Sequence, residues 1–247
     1  MLLLNNVESN NSEEKKIHYR LTNEFFRESA TYKMGYYDAK NKLSLKHDKK
    51  QYKIWEICTS FIDYQIKNNK QILKVIDVGC GIGDFTLDLA KRYPQFNKII
   101  GVDILDEIIE IARKKEEIYD KVTILKGDLL NLEFDDRFFD LSVCINVFHH
   151  IHPKDFKKAV KELSRITDKY VILEIRNKKN YFNFYYKYFA LPFYYKNLPV
   201  TACSIEEVNN MFELHNFKPV IAKGIYPRTG ICWRLILIYK RAEITKN

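Results

Sequence analysis

The sequence predicts an α/β domain with a mostly parallel β-sheet and helices on both faces. Apolar runs of strand length alternate with helical patterns roughly every twenty to thirty residues between Ile72 and Ile175, the signature of successive parallel crossovers. The first run, Ile72–Val78, is apolar save for one Lys and one Asp, as in a strand covered on both faces. Near the end of the chain two further runs are joined by a loop too short for a crossover. Those two must be antiparallel.

The elements follow in order. Residues 1–20 are polar and charged, and helical at best. From Leu21 to about Gln65 the pattern is helical, with aromatics interspersed. After the strand Ile72–Val78, Asp84–Tyr93 has helical spacing and stops before Pro94. Lys98–Val102 is the second strand, Asp106–Lys115 the next helix and Val122–Leu125 the third strand. Phe139–Val147 is the fourth strand, Pro153–Thr167 a helix with Pro in its first turn, and Tyr170–Ile175 the fifth strand. Ser204-Ile-Glu-Glu207 is a capping box opening a helix to about Asn216, and Lys218–Ile225 and Cys232–Tyr239 are the antiparallel pair. Right-handed crossovers leave few ways to arrange these seven strands.

Composition narrows the class. The 247 residues suit one domain with additions at its ends, and 46% hydrophobic residues are enough for one core. A net charge of +9 is compatible with nucleic acid, an anionic surface or an acidic substrate, but no block of like charge dominates, so spread solvated faces account for it as well. Cys58, Cys80, Cys144, Cys203 and Cys232 are odd in number and form no CxxC pair, which points to reduced cytoplasmic thiols rather than zinc or disulfides. Met1-Leu-Leu-Leu turns polar at Asn5, too soon for a signal peptide, and no apolar stretch reaches spanning length.

The chemistry is written at the strand ends. The first strand runs into Asp77-Val-Gly79-Cys80-Gly81-Ile-Gly83 and then directly into a helix. Glycines there permit a tight turn and close approach of a ligand, and a helix amino terminus offers free N–H groups. A dinucleotide loop needs its third glycine or alanine three residues after the second, and that position is Asp84. An acidic residue two before the first glycine, with glycines at every second position, instead resembles the first signature motif of S-adenosylmethionine (SAM)-dependent methyltransferases. Asp103 ends the second strand, where a carboxylate can accept both ribose hydroxyls of a nucleoside, with Ile104 next to it. Gly127-Asp128-Leu129 resembles the adenine-binding motif of that family. A lone aspartate at a strand end is ordinarily a turn or cap residue. Three on one sheet edge, the carboxyl edge where open α/β sheets bind ligands, are hard to explain as three caps.

The resemblance covers about residues 70–240. It implies a class I methyltransferase: a Rossmann-like, seven-stranded, mostly parallel sheet whose antiparallel last strand inserts beside the fifth. It implies SAM as cofactor, held by Asp77, Gly79, Cys80, Gly81, Gly83, Asp103, Ile104, Asp128, Leu129 and Asn146. The likeness is closest to the small-molecule type, in the ubiquinone and menaquinone methyltransferase branch.

The acceptor side is less specific. The fourth strand ends Asn146-Val-Phe-His149-His150-Ile-His152, which is similar to the family's fourth motif. His149 or His150 can act as general base for an acceptor that arrives protonated, or each can simply pack and bond the loop. The ubiquinone O-methyltransferase branch carries Glu-x-x-Glu-His here. Asn146, His149 and His150 take those places, both carboxylates are absent, and no metal is expected. The Asn/Asp-Pro-Pro-aromatic motif of base methyltransferases and a Pro-Cys pair are also missing, which argues against nucleic acid.

Two segments frame an acceptor. Residues 1–66 form a helical cap in which Tyr36 and Tyr37 can face the sulfonium or serve as packing. The resemblance implies a SAM-binding methyltransferase domain over residues 67–240, with an aromatic substrate-cover insertion at 177–203 and a tail at 241–247. Within the insertion, residues 181–195 hold ten aromatics in fifteen positions, among them Tyr185. They can cap the core, line an aromatic pocket bordered by Glu174 and Arg176, or rest on a bilayer interface. The expected function is methyl transfer to a small aromatic or lipophilic acceptor, at oxygen first, then carbon or nitrogen. An RNA or protein methyltransferase and a non-catalytic SAM-binding subunit are the alternatives, and the oligomeric state is not legible.

Overall fold

The computed structural model describes residues 12–25, 27, 44–116, 119–180, 199–225 and 232–243. A helix over 12–25 (α1) and α2 (Ser44–Lys67) precede the sheet. Then come β1 (Lys74–Val78), α3 (Asp84–Arg92), β2 (Lys98–Asp103), α4 (Asp106–Glu116), β3 (Val122–Lys126), β4 (Phe139–Cys144), α5 (Phe156–Ile166) and β5 (Thr167–Arg176). The chain closes with α6 (Ile205–Glu213), β6 (Phe217–Gly224) and β7 (Arg234–Arg241).

The seven strands lie in the order β3-β2-β1-β4-β5-β7-β6. All neighbours from β3 to β5 are parallel, whereas β7 is antiparallel to both β5 and β6, so the last strand slots in beside the fifth as expected. The order reverses between β1 and β4. Right-handed crossovers running outward in both directions from that point place α3 and α4 on one face and α5 on the other. The reversal also opens a crevice at the carboxyl ends of β1 and β4, where the glycine loop and the histidine turn both lie.

Burial explains the pattern. The inner strands β1, β2, β4, β5 and β7 are buried along most of their length because both faces are covered, while edge strand β6 is largely exposed. Helix α2 presents Ile54, Cys58, Phe61 and Ile62 inward at helical spacing, and Trp55 packs against Phe85 of α3 in a tilted ring pair. Tyr170 of β5 packs edge-on against Phe61 and donates to Gln65 Oε1 at 2.9 Å. Arg241 reaches from β7 to donate to the carbonyls of Ser164 and Thr167 at 2.5 Å each, satisfying the end of α5.

Strand β4 stops at Cys144, three residues before the expected end at Val147. The reason is local: Asn146 adopts a left-handed backbone (φ 62°), and Phe148–His150 form a 3₁₀ turn that re-aims the chain. The expected helix from Pro153 begins as a second 3₁₀ turn, Pro153–Asp155, and becomes α-helical only at Phe156. It ends at Ile166 because Thr167, its hydroxyl bonded to the Leu163 carbonyl and to Ser142, already starts β5. The capping box at Ser204 forms, with Glu207 N–H donating to Ser204 Oγ at 3.1 Å and Ser204 N–H to Glu207 Oε2 at 2.7 Å. No helix among the described residues is long and apolar enough to cross a membrane.

Candidate functional site

The glycine loop is stitched to the end of β2. Gly79 and Cys80 N–H groups both donate to the Val102 carbonyl, at 2.7 and 2.9 Å. Gly79 has φ 76°, and a Cβ there would stand 1.9 Å from Val147 Cγ2, so only glycine lets the loop meet the turn after β4. Gly81 differs: with φ 56° it faces open space among the described residues, where a ligand can approach the backbone. Gly83 precedes the first turn of α3. Cys80 is buried, its thiol toward the Gly81 carbonyl at 3.6 Å.

Asp77 is buried beneath this loop, and Thr86 of α3 donates its hydroxyl to Asp77 Oδ2 at 2.7 Å. Burial pushes the Asp77 carboxyl up to about 6, against the lowering effect of the Thr86 bond. Asp77 thus positions α3 relative to the loop. Asp103 sits higher, half-buried at the rim. Its Oδ2 accepts from Gly81 N–H at 3.0 Å and its Oδ1 from Leu105 N–H at 3.1 Å. Desolvation raises this carboxyl too, opposed by the backbone donors, and lone pairs remain on both oxygens for further donors. Beside it Ile104 is 45% exposed, an aliphatic surface on the rim that folding has not covered. Asp128 is half-buried and accepts from Leu130 N–H at 2.8 Å, while Leu129 is buried below it. The Gly127 N–H donates to the Asp103 carbonyl at 2.9 Å, which ties the third strand end to the second.

These residues suit a nucleoside-bearing ligand. The cradle at Gly81 has room, two carboxylates at adjacent strand ends can accept hydroxyl and amine protons, and Ile104 offers an apolar face to a flat base.

A second constellation gathers at the ends of β4, β5 and β7. Glu174 is fully buried and receives both Arg176 and Arg234. Arg234 donates from Nε to Oε1 at 2.6 Å and from Nη2 to Oε2 at 3.0 Å, while Arg176 Nη1 donates to Oε1. The two guanidiniums hold Glu174 below the usual carboxylate range although burial alone would raise it. Asn146 is the hub. Its N–H donates to Glu174 Oε2 at 2.9 Å, its Oδ1 accepts from Arg234 at 2.5 Å, and its Nδ2 donates to Gln51 of α2 at 2.8 Å.

His149 lies against this cluster, with Nε2 3.2 Å from Arg176 Nη2. A guanidinium can only donate, so Nε2 is the acceptor and Nδ1 carries the proton. Burial, with the positive charge of Arg176, holds the His149 imidazole well below its ordinary value, and the same causes lower His150 to about 3. Both rings are neutral at physiological pH and weak as bases. The His149 carbonyl accepts from Thr201 N–H at 2.8 Å, so the chain returning from the insertion crosses the histidine turn.

Helix α1 closes over the same loop. His18 Nε2 bonds the His150 carbonyl at 2.8 Å, and Tyr19 donates to Asp155 Oδ2 at 2.8 Å while accepting from His152 N–H at 3.2 Å. Lys15 pairs with Asp155 at 2.7 Å, and Arg27 reaches Glu107 of α4 at 3.1 Å.

The structure therefore places Asp77, Gly79, Cys80, Gly81, Gly83, Asp103, Ile104, Asp128 and Leu129 at the neighbouring carboxyl ends of β1, β2 and β3. It gathers Asn146, His149, His150 and Arg176 at the neighbouring strand ends. Tyr36, Tyr37 and Tyr185 lie outside the described residues. Sequence reasoning missed Arg234, Gln51 and Tyr19. A signal existed for Arg234, since a glutamate inside the apolar run Tyr170–Ile175 demands a cation from a neighbouring strand.

Residues 75–169 match the family described as "Methyltransferase domain". A demethylmenaquinone methyltransferase of Staphylococcus saprophyticus is 33% identical over 99 residues, 40% of this chain, and the match spans only 42% of that relative. Its counterpart from Staphylococcus carnosus is 26% identical over 220 residues, 80% of this chain and 86% of the relative. Among solved structures, magnesium protoporphyrin IX methyltransferase from Synechocystis PCC 6803 with bound S-adenosylhomocysteine (SAH) superposes with a TM-score of 0.70 at 16% identity, covering 91% of this chain and all of that one. Burkholderia thailandensis 1,6-didemethyltoxoflavin-N1-methyltransferase, with 1,6-didemethyltoxoflavin and SAH bound, gives 0.64 at 11% identity, covering 93% and 91%. The last two likenesses are of fold.

Proposed function

We propose that this chain, which belongs to the class I SAM-dependent methyltransferase family, transfers the methyl group of SAM to a small-molecule acceptor. The observation that carries this is the cradle at Gly81, open and flanked by the Asp103 and Asp128 carboxylates at two successive strand ends. In this reading Asp103 accepts the ribose hydroxyls, Ile104 and Leu129 enclose the adenine, and Asp128 accepts from its amine. The Gly79–Gly83 backbone receives the amino-acid end, and Asp77 keeps loop and helix in register. When bound, SAM supplies an electrophilic methyl on a sulfonium. The acceptor's lone pair takes the methyl while the C–S electron pair stays on sulfur. The protein's share is to hold the acceptor on that axis and keep water out.

The acceptor is aromatic or lipophilic, and oxygen is the favoured atom. Support comes from where the aromatic insertion is tied down. Lys178 N–H donates to the Cys203 carbonyl at 3.0 Å and Cys203 N–H to the Arg176 carbonyl at 3.0 Å, so the chain leaves and re-enters beside Arg176 and His149. The demethylmenaquinone methyltransferases among the relatives are consistent with such an acceptor. Isothermal titration tests the donor half. SAH is expected to bind, and Asp103→Ala to weaken it about 100-fold by removing charge-assisted hydrogen bonds. Binding of NAD with no binding of SAM or SAH would sink the reading. Steeply salt-dependent RNA binding would move the acceptor to nucleic acid.

A further inference from the structure

Two donors at the ends of β4, β5 and β7 are left over after the internal bonds are made. Arg234 spends Nε on Glu174 and Nη2 on Glu174 and Asn146, while its Nη1 makes no hydrogen bond among the described residues and is not sealed from solvent. His149 Nδ1, the protonated nitrogen of a neutral ring, is buried with no acceptor among the described residues. A buried N–H without an acceptor costs about 1–3 kcal/mol, so an orphan in a functional crevice calls for a ligand oxygen.

Charge points the same way. Among the described residues, one carboxylate, that of Glu174, serves the two guanidiniums of Arg176 and Arg234. In sequence, residues 181–198, which follow β5, contain Lys187 and Lys196, residues 226–231, which precede β7, contain Arg228, and neither stretch has an Asp or Glu. Arg176 and Arg234 face each other in the β5–β7 register at the carboxyl edge of the sheet. That edge also carries Gly79, packed on Val147, so the cationic cluster and the glycine loop lie at the same edge of the sheet.

We propose that the acceptor carries an anionic oxygen, a carboxylate or an ionised phenol or enol, received by Arg234 and the His149 Nδ1–H beside the methyl-donor loop. The proposal rests on the methyltransferase reading and names the substrate class of that site. It also fits the weakness of the histidines as bases, since an acceptor already ionised needs no proton removed.

The test uses the full chain and three aromatic probes of one shape. SAH binding is measured first by titration calorimetry. The SAH-loaded protein is then titrated with naphthalene-2-carboxylate, 2-naphthol and naphthalene-2-carboxamide. At least one anion is expected to bind about 10-fold or more tighter than the amide, the scale of one charge-assisted hydrogen bond. The carboxylate acting alone marks a carboxylate acceptor, and 2-naphthol affinity that rises with pH marks an ionised phenol. Arg234→Gln is expected to erase the preference while SAH affinity is kept. If that variant does not fold, the comparison on the unaltered protein decides alone. Equal affinity for all three probes, or no binding of either anion to the SAH-loaded protein, overturns the proposal. Failure of SAH itself to bind overturns the methyl-donor reading instead.

Discussion

At Asp77 the surroundings decide what a strand-end carboxylate does. Burial raises its carboxyl to about 6 from an ordinary 3.8, so the folded state holds its proton over a pH range where the unfolded chain has lost it. Below about pH 4 both states are protonated and no penalty exists. Between about 4 and 6 the penalty grows, and above 6 it stays at about 3 kcal/mol as an order of magnitude. Asp77→Asn keeps an oxygen for Thr86 and removes the charge. Melting curves should show its advantage over the parent appearing between pH 4 and 6, and a constant difference across that range would contradict this account. At Gly79 the constraint is steric. Gly79→Ala should cost about 2–4 kcal/mol, from the clash with Val147 plus left-handed strain. Adding Val147→Ala should return part of that loss in chemical denaturation, since the clashing Cγ2 is gone.

Among the elements, α1 stands out because local polar contacts hold it to the turn after β4. Tyr19 is the bridge, accepting from His152 and donating to Asp155, and burial raises its phenol well above the ordinary value. Tyr19→Phe removes both bonds while keeping the ring. Hydrogen exchange should then speed up in residues 12–25 by about 5–30-fold, the effect of about 1–2 kcal/mol, with β1 and β5 unchanged. Equal exchange in α1 would mean that packing alone holds it. Helix α6 is the opposite case, defined by its own capping box. Ser204→Ala should lower stability by about 1 kcal/mol in urea titration, with no effect on SAH affinity.

Across the whole molecule, the Glu174 cluster joins β4, β5, β7 and α2 through one carboxylate. Two parallel strands, one antiparallel strand and a cap helix meet at its oxygens and at Asn146. Glu174→Gln would leave two buried guanidiniums without their carboxylate, at a cost of about 3–5 kcal/mol. Such a loss should appear as a large fall in melting temperature. A fall of only a degree or two would show that solvent or another anion already serves the arginines.

The class of the sheet, the sense of its last two strands and the glycine loop were legible along the chain alone, because each is a local signal. Periodicity of two or 3.6 residues marks an element, a short loop forbids a crossover, and glycines at Gly79, Gly81 and Gly83 occupy backbone shapes that side chains resist. Asp103 and Asp128 were legible for the same reason, each lying directly after its strand. Contacts between residues far apart in the chain came only with the three-dimensional fold. It set Arg234 and Arg176 on one glutamate, gave Asn146 to Gln51, and set His149 Nε2 against the Arg176 guanidinium. It also laid Tyr19 across a turn more than 130 residues later. A buried charge must find its partner across the fold, and spacing along a chain carries no record of which strand will supply it.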